Sequence, residues 1–261
     1  MFAAGERVAF YLFGRPVMKY GITMGTAIAV SVFVLGKIRN KFYSDVISED
    51  RLFDLCFWLI IGGVLGARIW YVLLNIPYYS AHVNEILAIS QGGISIQGAI
   101  MGGVLTGWIY VKKHHLCFLK IADMFALVLP IGQAIGRWGN FFNSEAFGRP
   151  CDLPWKLYIP IENRPEQYLF DEYFHPTFLY ESIANIFVFF ILYFILRKKL
   201  ENYGGGVFFS YLILYSVVRF FIEFVRIDSV LNVGTVPIAV VVAVLFMIVG
   251  GVGLFKIMNK N

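Results

Sequence analysis

Long apolar runs separated by short polar segments dominate the chain. Seven of these runs have about the 20-residue length at which an α-helix crosses the hydrocarbon core of a bilayer. They lie at about 20–36, 52–74, 93–111, 121–138, 177–196, 205–225 and 233–255. The pattern predicts an all-α polytopic membrane protein with seven transmembrane helices, which form a single integral-membrane domain over residues 1–261.

The composition agrees with a lipid bilayer as the main surrounding of the chain. Hydrophobic residues make up 59% of the sequence and charged residues only 15%, whereas about a quarter of the residues in a soluble domain are charged. The mean hydropathy is +0.70. The net charge of +5 comes from basic residues scattered between the apolar runs, so we expect loops on an anionic leaflet and no nucleic-acid partner.

The distribution of lysine and arginine predicts the orientation of the spans. Basic residues are concentrated in every second connecting segment, at 36–51, 112–120, 197–204 and 256–261. By the positive-inside rule these segments lie in the cytoplasm. The amino terminus then faces outside, the carboxy terminus lies in the cytoplasm, and the loop at about 142–176 is extracytoplasmic.

A stripe of polar side chains runs along the sixth span. Four residues are spaced i, i+4, i+8 and i+11, which places them within about an 80° arc of a helix. They are Tyr215, Arg219, Glu223 and Arg226. A charge near the bilayer centre costs at least ~2.5–3.5 kcal/mol, so such residues usually face the protein interior. The stripe predicts either a salt bridge that joins two helices or a buried site for an anionic group.

A glycine-rich segment at 132–149 ends the fourth span and carries the densest set of polar residues. Its glycines would let the backbone approach a ligand at membrane depth. Arg137, Asn140 and Glu145 follow one another closely, and an arginine fork with amide donors suits a phosphodiester. The alternative is a helix end that packs through glycine and is capped by polar side chains.

Two other glycine-rich segments carry a polar side chain that could bind substrate. Gln97 lies between Gly-Gly pairs in the segment 91–103, and Arg68 lies in the segment 62–71. Helix packing with a re-entrant turn is the alternative for the first segment. For the second, the alternative is an arginine that holds helices through their backbone carbonyls.

Two features indicate that the functional site lies near the outer side of the membrane. Arg137, Arg219 and Arg226 lie toward the outer ends of their predicted spans, so the buried charge gathers near the outer leaflet. The long extracytoplasmic loop closes with His175-Pro176, and a loop of that length is usually a lid or a partner-binding surface. From the residues alone, His175 is interpreted as a solvated loop residue.

Five sequence motifs extend over nearly the whole chain. They are GGVLGARIWYV, QGGISIQGA, DMFALVLPIGQAIGRWGNFFNSEAFGR, HPTFLYE and YSVVRFFIEFVR. In these motifs, and in their order and spacing, the chain resembles the bacterial prolipoprotein diacylglyceryl transferase family. The fourth-span motif is highly specific by itself.

The resemblance implies an enzyme of lipoprotein maturation. Such an enzyme transfers the diacylglyceryl group of phosphatidylglycerol to the cysteine thiol in the lipobox of a prolipoprotein and releases glycerol phosphate. The resemblance also implies a seven-helix bundle in the bacterial inner (cytoplasmic) membrane, with the amino terminus outside and the active site toward the outer leaflet. It implies neither a metal nor an organic cofactor.

The resemblance further assigns roles to individual residues. Two arginines would hold the phosphodiester and stabilise the departing phosphate, while buried carboxylates hold the arginines. The catalytic assignments are Tyr20, Arg137, Glu145, Tyr215, Arg219 and Glu223. The substrate-binding assignments are Arg137, Asn140, Gln97, Arg68, Gly148 and His175. Glu181 also lies in a family motif.

Two positions depart from the family pattern. The third span usually carries a histidine, a proposed base, where this chain has Gln97; an amide cannot hold a proton at neutral pH, although it can hydrogen-bond a thiol or a phosphate. The seventh span usually opens with Gly-Gln, and this chain has Gly234-Thr235. An inactive lipid-binding relative and a transporter of an anionic lipid or solute therefore stay open as alternatives.

Overall fold

Most of the chain is helical in the computed structural model, which describes residues 2, 3, 6–88, 92–227, 232, 233 and 236–259. Gly234-Thr235 lies outside the described residues. A π-helical segment, Ile191–Leu196, connects the seventh α-helix to the eighth. The α-helices are α1 (Lys19–Phe42), α2 (Glu49–Leu74), α3 (Ile76–Ala81), α4 (Ile96–Lys113), α5 (Phe118–Ala126), α6 (Leu129–Asn143), α7 (Thr177–Phe190), α8 (Arg197–Lys199), α9 (Gly206–Glu223) and α10 (Ile238–Met258).

Five helices in the described part of the chain are long and apolar enough to cross a membrane. They are α1, α2, α9, α10 and the continuous helical segment Thr177–Lys199. The pair α5 and α6 is a sixth candidate, although it is bent by 46°. Pro130 lies in the first turn of α6, and it interrupts the helix because proline has no N–H to donate to the preceding turn. The structure confirms a mostly helical chain with five or six candidate spans.

The third predicted span differs from the others. A helix, α4, does form there, but it is not among the candidate spans of the described residues. Gln97 near its start and Lys112 and Lys113 in its last turn lower the hydropathy of this 18-residue helix. The count of seven spans therefore stays a prediction.

The described chain divides into two compact units. The first consists of Met1–Leu35 and Ala122–Asn261, and the second of Gly36–Ile121. In the second unit α2 and α4 pack closely through glycine, since a Cβ added to Gly66 would lie 2.8 Å from Gly102 Cα. Helix packing thus accounts for glycines in the two glycine-rich segments of this unit, 62–71 and 91–103.

In the first unit, α9 begins at a cap that another helix supplies. Gly205, which precedes α9, has a φ of +95°. Asp123 on α5 accepts hydrogen bonds from the backbone N–H groups of Gly205 at 2.7 Å and Phe208 at 2.8 Å. The buried carboxylate therefore satisfies two donors that the first turn of a helix leaves open.

Short β-strands occur at the amino terminus, in the loop after α6 and between α9 and α10, where none was predicted. They are β1 (Phe2–Ala3), β2 (Val8–Leu12), β3 (Arg15–Met18), β4 (Leu157–Tyr158), β5 (Tyr173–Phe174), β6 (Asn232–Val233) and β7 (Val236–Pro237). β4 pairs with β1 in parallel and with β5 in antiparallel orientation, and Leu157 and Phe174 from this sheet join a small apolar core. The all-α prediction missed these strands because five of them have only two residues, and the longer β2 (VAFYL) and β3 (RPVM) do not alternate between apolar and polar residues.

Candidate active site

Three arginines and two glutamates converge in the first unit. This arginine–glutamate cluster consists of Arg137, Arg219, Arg226, Glu181 and Glu223. At its centre lies the Glu181 side chain, which is 1% exposed. Its Oε2 is 2.6 Å from Arg137 Nη2, and its Oε1 is 3.9 Å from Arg219 Nη1 and 3.7 Å from Arg226 Nη1. One buried carboxylate thus faces three guanidinium groups.

Three helices bring these side chains together. Arg137 lies on α6, Glu181 on α7, and Arg219 on α9. Next to Glu181, the Ser182 hydroxyl donates a hydrogen bond to the Ala134 carbonyl at 2.9 Å. This bond holds α7 against α6 one turn from Arg137, so the ion pair forms between two helices that are already in contact.

The polar stripe of the sixth span is partly helical. Arg219 Nη2 and Glu223 Oε2 lie 2.5 Å apart on successive turns of α9. Arg226 follows the helix end and forms an isolated antiparallel bridge with Gly148, so it reaches Glu181 from a loop. The stripe joins α9 to α7, as one of its two interpretations predicts. Among the described residues, no group accepts a hydrogen bond from the buried Arg219 Nη1. This donor is compatible with the other interpretation, a buried site for an anionic group.

A second chain of contacts runs along the end of α6. Arg137 Nη1 donates to Asn140 Oδ1 at 3.3 Å, and Asn140 Nδ2 donates to Glu145 Oε1 at 2.8 Å. The helix ends at Ser144, whose φ of +52° reverses the chain. The reversal lets the exposed Glu145 reach back to Asn140, so the predicted residues of segment 132–149 do lie together.

Two predicted tyrosines lie on helices that flank α6. The Tyr20 ring packs on Gly139, since a Cβ at that glycine would lie 2.9 Å from Tyr20 Cδ2. Tyr215 lies one turn before Arg219 on α9 and stacks on Tyr211, with 5.8 Å between the ring centroids. Both tyrosines are half-buried.

Gly148 lies where three chain segments approach one another. Its N–H donates to the His175 carbonyl at 2.9 Å, while the next N–H, of Arg149, donates to the Val225 carbonyl at 2.9 Å. A Cβ at Gly148 would lie 2.8 Å from both His175 Cβ and Val225 Cγ1. The absence of a side chain therefore lets the loop pack against the end of α9, next to Arg226.

His175 is a half-buried loop residue whose ring contacts an aromatic neighbour, a contact that the interpretation from the residues alone did not include. Its Nδ1 lies 3.1 Å from the Tyr180 hydroxyl. Trp155 Nε1 donates to that hydroxyl at 3.0 Å, which leaves the Tyr180 proton to be donated to His175. Burial lowers the pKa of His175 below its ordinary value, so its imidazole is neutral near pH 7.

Arg68 and Gln97 belong to the second unit. Arg68 is buried, and four of its five N–H groups donate to backbone carbonyls at 2.5–2.9 Å. The acceptors are Glu85, Ile86, Gly92 and Gly93. This geometry favours the structural alternative for Arg68. Gln97 is exposed in the first turn of α4, where its Oε1 accepts a hydrogen bond from the Ser95 hydroxyl at 2.5 Å.

Three residues with prominent contacts were underestimated by the sequence analysis. All three lie in the family motifs, but neither Glu181 nor Asp123 was given a role there, and Arg226 was considered only as part of the polar stripe and the buried charge near the outer leaflet. Each is an ionisable residue within or beside an apolar run, and this is a functional or structural signal by itself. Their partners could not be read from the sequence because they lie on other helices.

The helices and the cluster define a multi-pass membrane protein with a charged site among its helices. The family model for prolipoprotein diacylglyceryl transferase matches residues 7–256. The chain therefore belongs to the prolipoprotein diacylglyceryl transferase family, as the five motifs predict.

Several bacterial relatives share most of their sequence length with this chain. All three described here carry the name phosphatidylglycerol--prolipoprotein diacylglyceryl transferase. The protein from Nostoc sp. is 46% identical over 239 residues, which cover 90% of this chain and 83% of the relative. That from Fervidobacterium nodosum is 44% identical over 243 residues, or 93% and 82% of the two chains. The Thermosynechococcus vestitus protein is 41% identical over 238 residues, or 91% and 87%.

Proposed function

We propose that this chain transfers the diacylglyceryl group of phosphatidylglycerol to the lipobox cysteine thiol of prolipoproteins and releases glycerol phosphate. Relatives that are named for this reaction match the chain over about nine tenths of its length. Within the structure, the observation that carries the proposal is the arginine–glutamate cluster.

The charge of the cluster suits a phosphodiester. Among the described residues, three arginines gather around two buried glutamates. A phosphodiester carries one negative charge, and Arg219 Nη1 offers a donor without a protein acceptor in the described chain. Because charge–charge attraction is strong where water is excluded, these arginines would attract the headgroup phosphate.

The same cluster can stabilise the transition state. The thiol sulfur attacks the glyceryl carbon, a C–S bond forms, and the C–O bond to the phosphate breaks. The thiol proton is released, and glycerol phosphate departs with one more negative charge than the diester. Arg137 and Arg219 would meet this developing charge, and Glu181 and Glu223 would hold them in place beforehand.

The proton acceptor is the point at which this chain differs from its family. Gln97 cannot act as a base, but a thiol with a pKa of about 8.5 is already a few per cent ionised near neutral pH. Nearby arginines would favour the thiolate further. We therefore infer that the reaction proceeds without a histidine at this position.

The remaining residue roles are also proposals. Asn140 would orient Arg137 and hold the Glu145 carboxylate through its hydrogen bonds. Tyr20 on α1 and Tyr215 on α9 would line the site. Gly148 and His175 would hold the loop beside the site through the hydrogen bond between their backbone groups. Substrate binding by Arg68 has the least support, because its donors already bind carbonyls.

We propose that the chain has seven spans in the bacterial inner membrane, namely the six candidates and α4, which is the third span in chain order. The amino terminus would lie outside, the carboxy terminus in the cytoplasm, and the site near the outer leaflet. The distribution of basic residues supports this orientation. The family match extends through both compact units, which supports a single transferase domain.

The proposal is tested with purified protein in phosphatidylglycerol vesicles and a lipobox peptide. Arg137→Lys and Arg219→Lys keep the charge but lose the bidentate fork, so each should lower glycerol phosphate release at least tenfold, or about 1.4 kcal/mol. Arg149→Lys, at an exposed side chain, is the matched control. Near-wild-type turnover in both site variants would contradict the phosphate clamp.

Wild-type behaviour separates the alternatives in the same assay. Release of glycerol phosphate that depends on the peptide cysteine supports the transferase. Lipid binding without release would identify an inactive relative, and movement of lipid across the bilayer without thioether formation would identify a transporter.

A further inference from the structure

An amino-terminal hairpin, formed by β2 and β3, has an unusual residue at its turn. Leu12 pairs with Arg15, so the turn consists of two residues, Phe13 with a φ of +47° and Gly14 with a φ of +74°. Two positive φ values define a type I′ turn, which favours Asn-Gly. Phenylalanine is disfavoured in this conformation, so something other than turn stability accounts for Phe13.

The hairpin tip exposes apolar side chains on both faces. Phe13 is 97% exposed, and Phe10, Tyr11 and Leu12 are 51%, 70% and 52% exposed. Neighbouring residues of a strand point to opposite faces, so neither face of β2 is covered. Four successive apolar or aromatic residues in this state indicate a contact surface rather than a core.

The hairpin is continuous with a membrane span. β3 ends at Met18, and α1, a candidate span, begins at the next residue. The Lys19 N–H donates to the Arg7 carbonyl at 2.9 Å, which ties the base of the hairpin to the start of α1. The tip lies only a few residues of extended chain, roughly 3.3 Å each, from the point where the chain enters the bilayer.

Charge and side-chain type fit the lipid interface. Three basic residues, Arg7, Arg15 and Lys19, flank the tip, against one acidic residue, Glu6. Basic side chains attract lipid phosphates, and aromatic side chains favour the headgroup region of a bilayer.

We propose that the tip of this hairpin, Tyr11–Phe13, inserts into the interface of the bilayer that α1 spans and acts as a membrane anchor. A lipid surface covers both faces and the tip at once, whereas a peptide added as a third strand would cover one edge. The proposal is independent of the transferase reaction.

The test uses the full-length chain in nanodiscs of phosphatidylglycerol and phosphatidylethanolamine. Tyr11→Cys carries an environment-sensitive fluorophore, and Glu166→Cys, at an exposed polar position of the long loop, is the matched control. The native cysteines are replaced by alanine; they are Cys56, Cys117 and Cys151. Headgroup-level spin-labelled lipids should quench the Tyr11 label at least twofold more than the control, and aqueous iodide should quench it less.

Phe13→Asn then separates anchoring from folding. Asparagine adopts the positive φ more readily than phenylalanine, so the thermal midpoint in detergent should be unchanged or higher. Lipid quenching of the Tyr11 label should nevertheless fall by at least half. Phe13→Gly is a second variant with the same expectation.

Three results would overturn the proposal. The first is equal iodide quenching at Tyr11 and Glu166 without quenching by lipid. The second is lipid quenching that both Phe13 variants leave unchanged, because the tip would then not be the inserted part. In the third, protection from iodide arises only after a lipobox peptide is added, which would make the hairpin a precursor-binding surface.

Discussion

Glu181 illustrates how a single buried carboxylate organises several cations. Its oxygens face Arg137, Arg219 and Arg226 from three directions, and among the described residues Oε1 has no hydrogen-bond donor. Desolvation makes such a carboxylate costly unless opposite charges surround it. The partly buried arginines likewise need a negative charge beside them. Glu181 therefore contributes both to the stability of the site and to the positions of its arginines.

Replacement of Glu181 by glutamine should therefore be severe. The amide keeps the shape of the side chain but leaves three arginines beside one carboxylate, Glu223. We expect a loss of about 3–5 kcal/mol in the free energy of unfolding, with a lower thermal midpoint in detergent and at least a tenfold loss of turnover. The control is Glu162→Gln at an exposed position of the loop. An unchanged midpoint in Glu181→Gln would show that the carboxylate does not hold the arginines.

His175 should make stability depend on pH. Burial lowers its pKa in the folded state, whereas the unfolded chain has the ordinary value of about 6.5. As the pH falls below about 6.5, the unfolded chain takes up the proton first, so stability decreases until the folded pKa is passed. Thermal midpoints between pH 7.5 and 5 should fall less in His175→Gln than in wild type. If the thermal midpoints of the two proteins fell in parallel with pH, the pH dependence would not come from His175.

At the scale of elements, α9 is held at both of its ends. Asp123 caps its first turn, and the bridge between Gly148 and Arg226 ties down the chain that follows its last turn. Arg219 lies in the last turns of this helix. The axial position of α9 therefore decides whether Arg219 reaches Glu181 on α7.

Removal of the cap should destabilise the protein without touching the cluster. Asp123→Ala leaves the N–H groups of Gly205 and Phe208 without their acceptor, which costs about 1–2 kcal/mol for a helix cap. Asp123→Asn keeps one acceptor oxygen and should lie between alanine and wild type in thermal midpoint. Asp152→Ala, which removes only an exposed pair with Lys156, is the control. A midpoint of Asp123→Ala equal to that of this control would show that the cap contributes little.

At the scale of the whole molecule, the apolar runs and the basic segments together predict a membrane topology. The helices of the structure overlap the predicted spans, although α1 ends six residues later and α10 begins five residues later than predicted, and Pro130 interrupts the fourth span. The distribution of basic residues predicts their orientation in a membrane, and this orientation can be measured directly.

A reporter that is active only outside the cytoplasm should test that orientation. Fusions within 150–170 should be active, whereas fusions after Lys199 or at the carboxy terminus should be silent. Protein levels of all fusions provide the control. The reverse pattern would place the long loop in the cytoplasm and move the proposed site to the inner leaflet.

The sequence by itself predicted the features that depend on local pattern. The length of the apolar runs predicted the helices, and the 3.6-residue repeat placed Arg219 and Glu223 on one face. The motifs identified the family. These features need no knowledge of distant parts of the chain, because helix formation and membrane insertion depend on contiguous residues.

Only the tertiary structure decided which side chains meet. Arg137 and Glu181 are far apart in the chain and form an ion pair because α6 and α7 pack together. For Arg68 the sequence left both substrate binding and contact with backbone carbonyls open, and the structure shows its donors on carbonyls. Phe13 became notable only through its φ and its exposure. The physical reason is that side-chain pairing, burial and backbone strain depend on neighbours in space, whereas apolar length and helical repeat depend on neighbours in sequence.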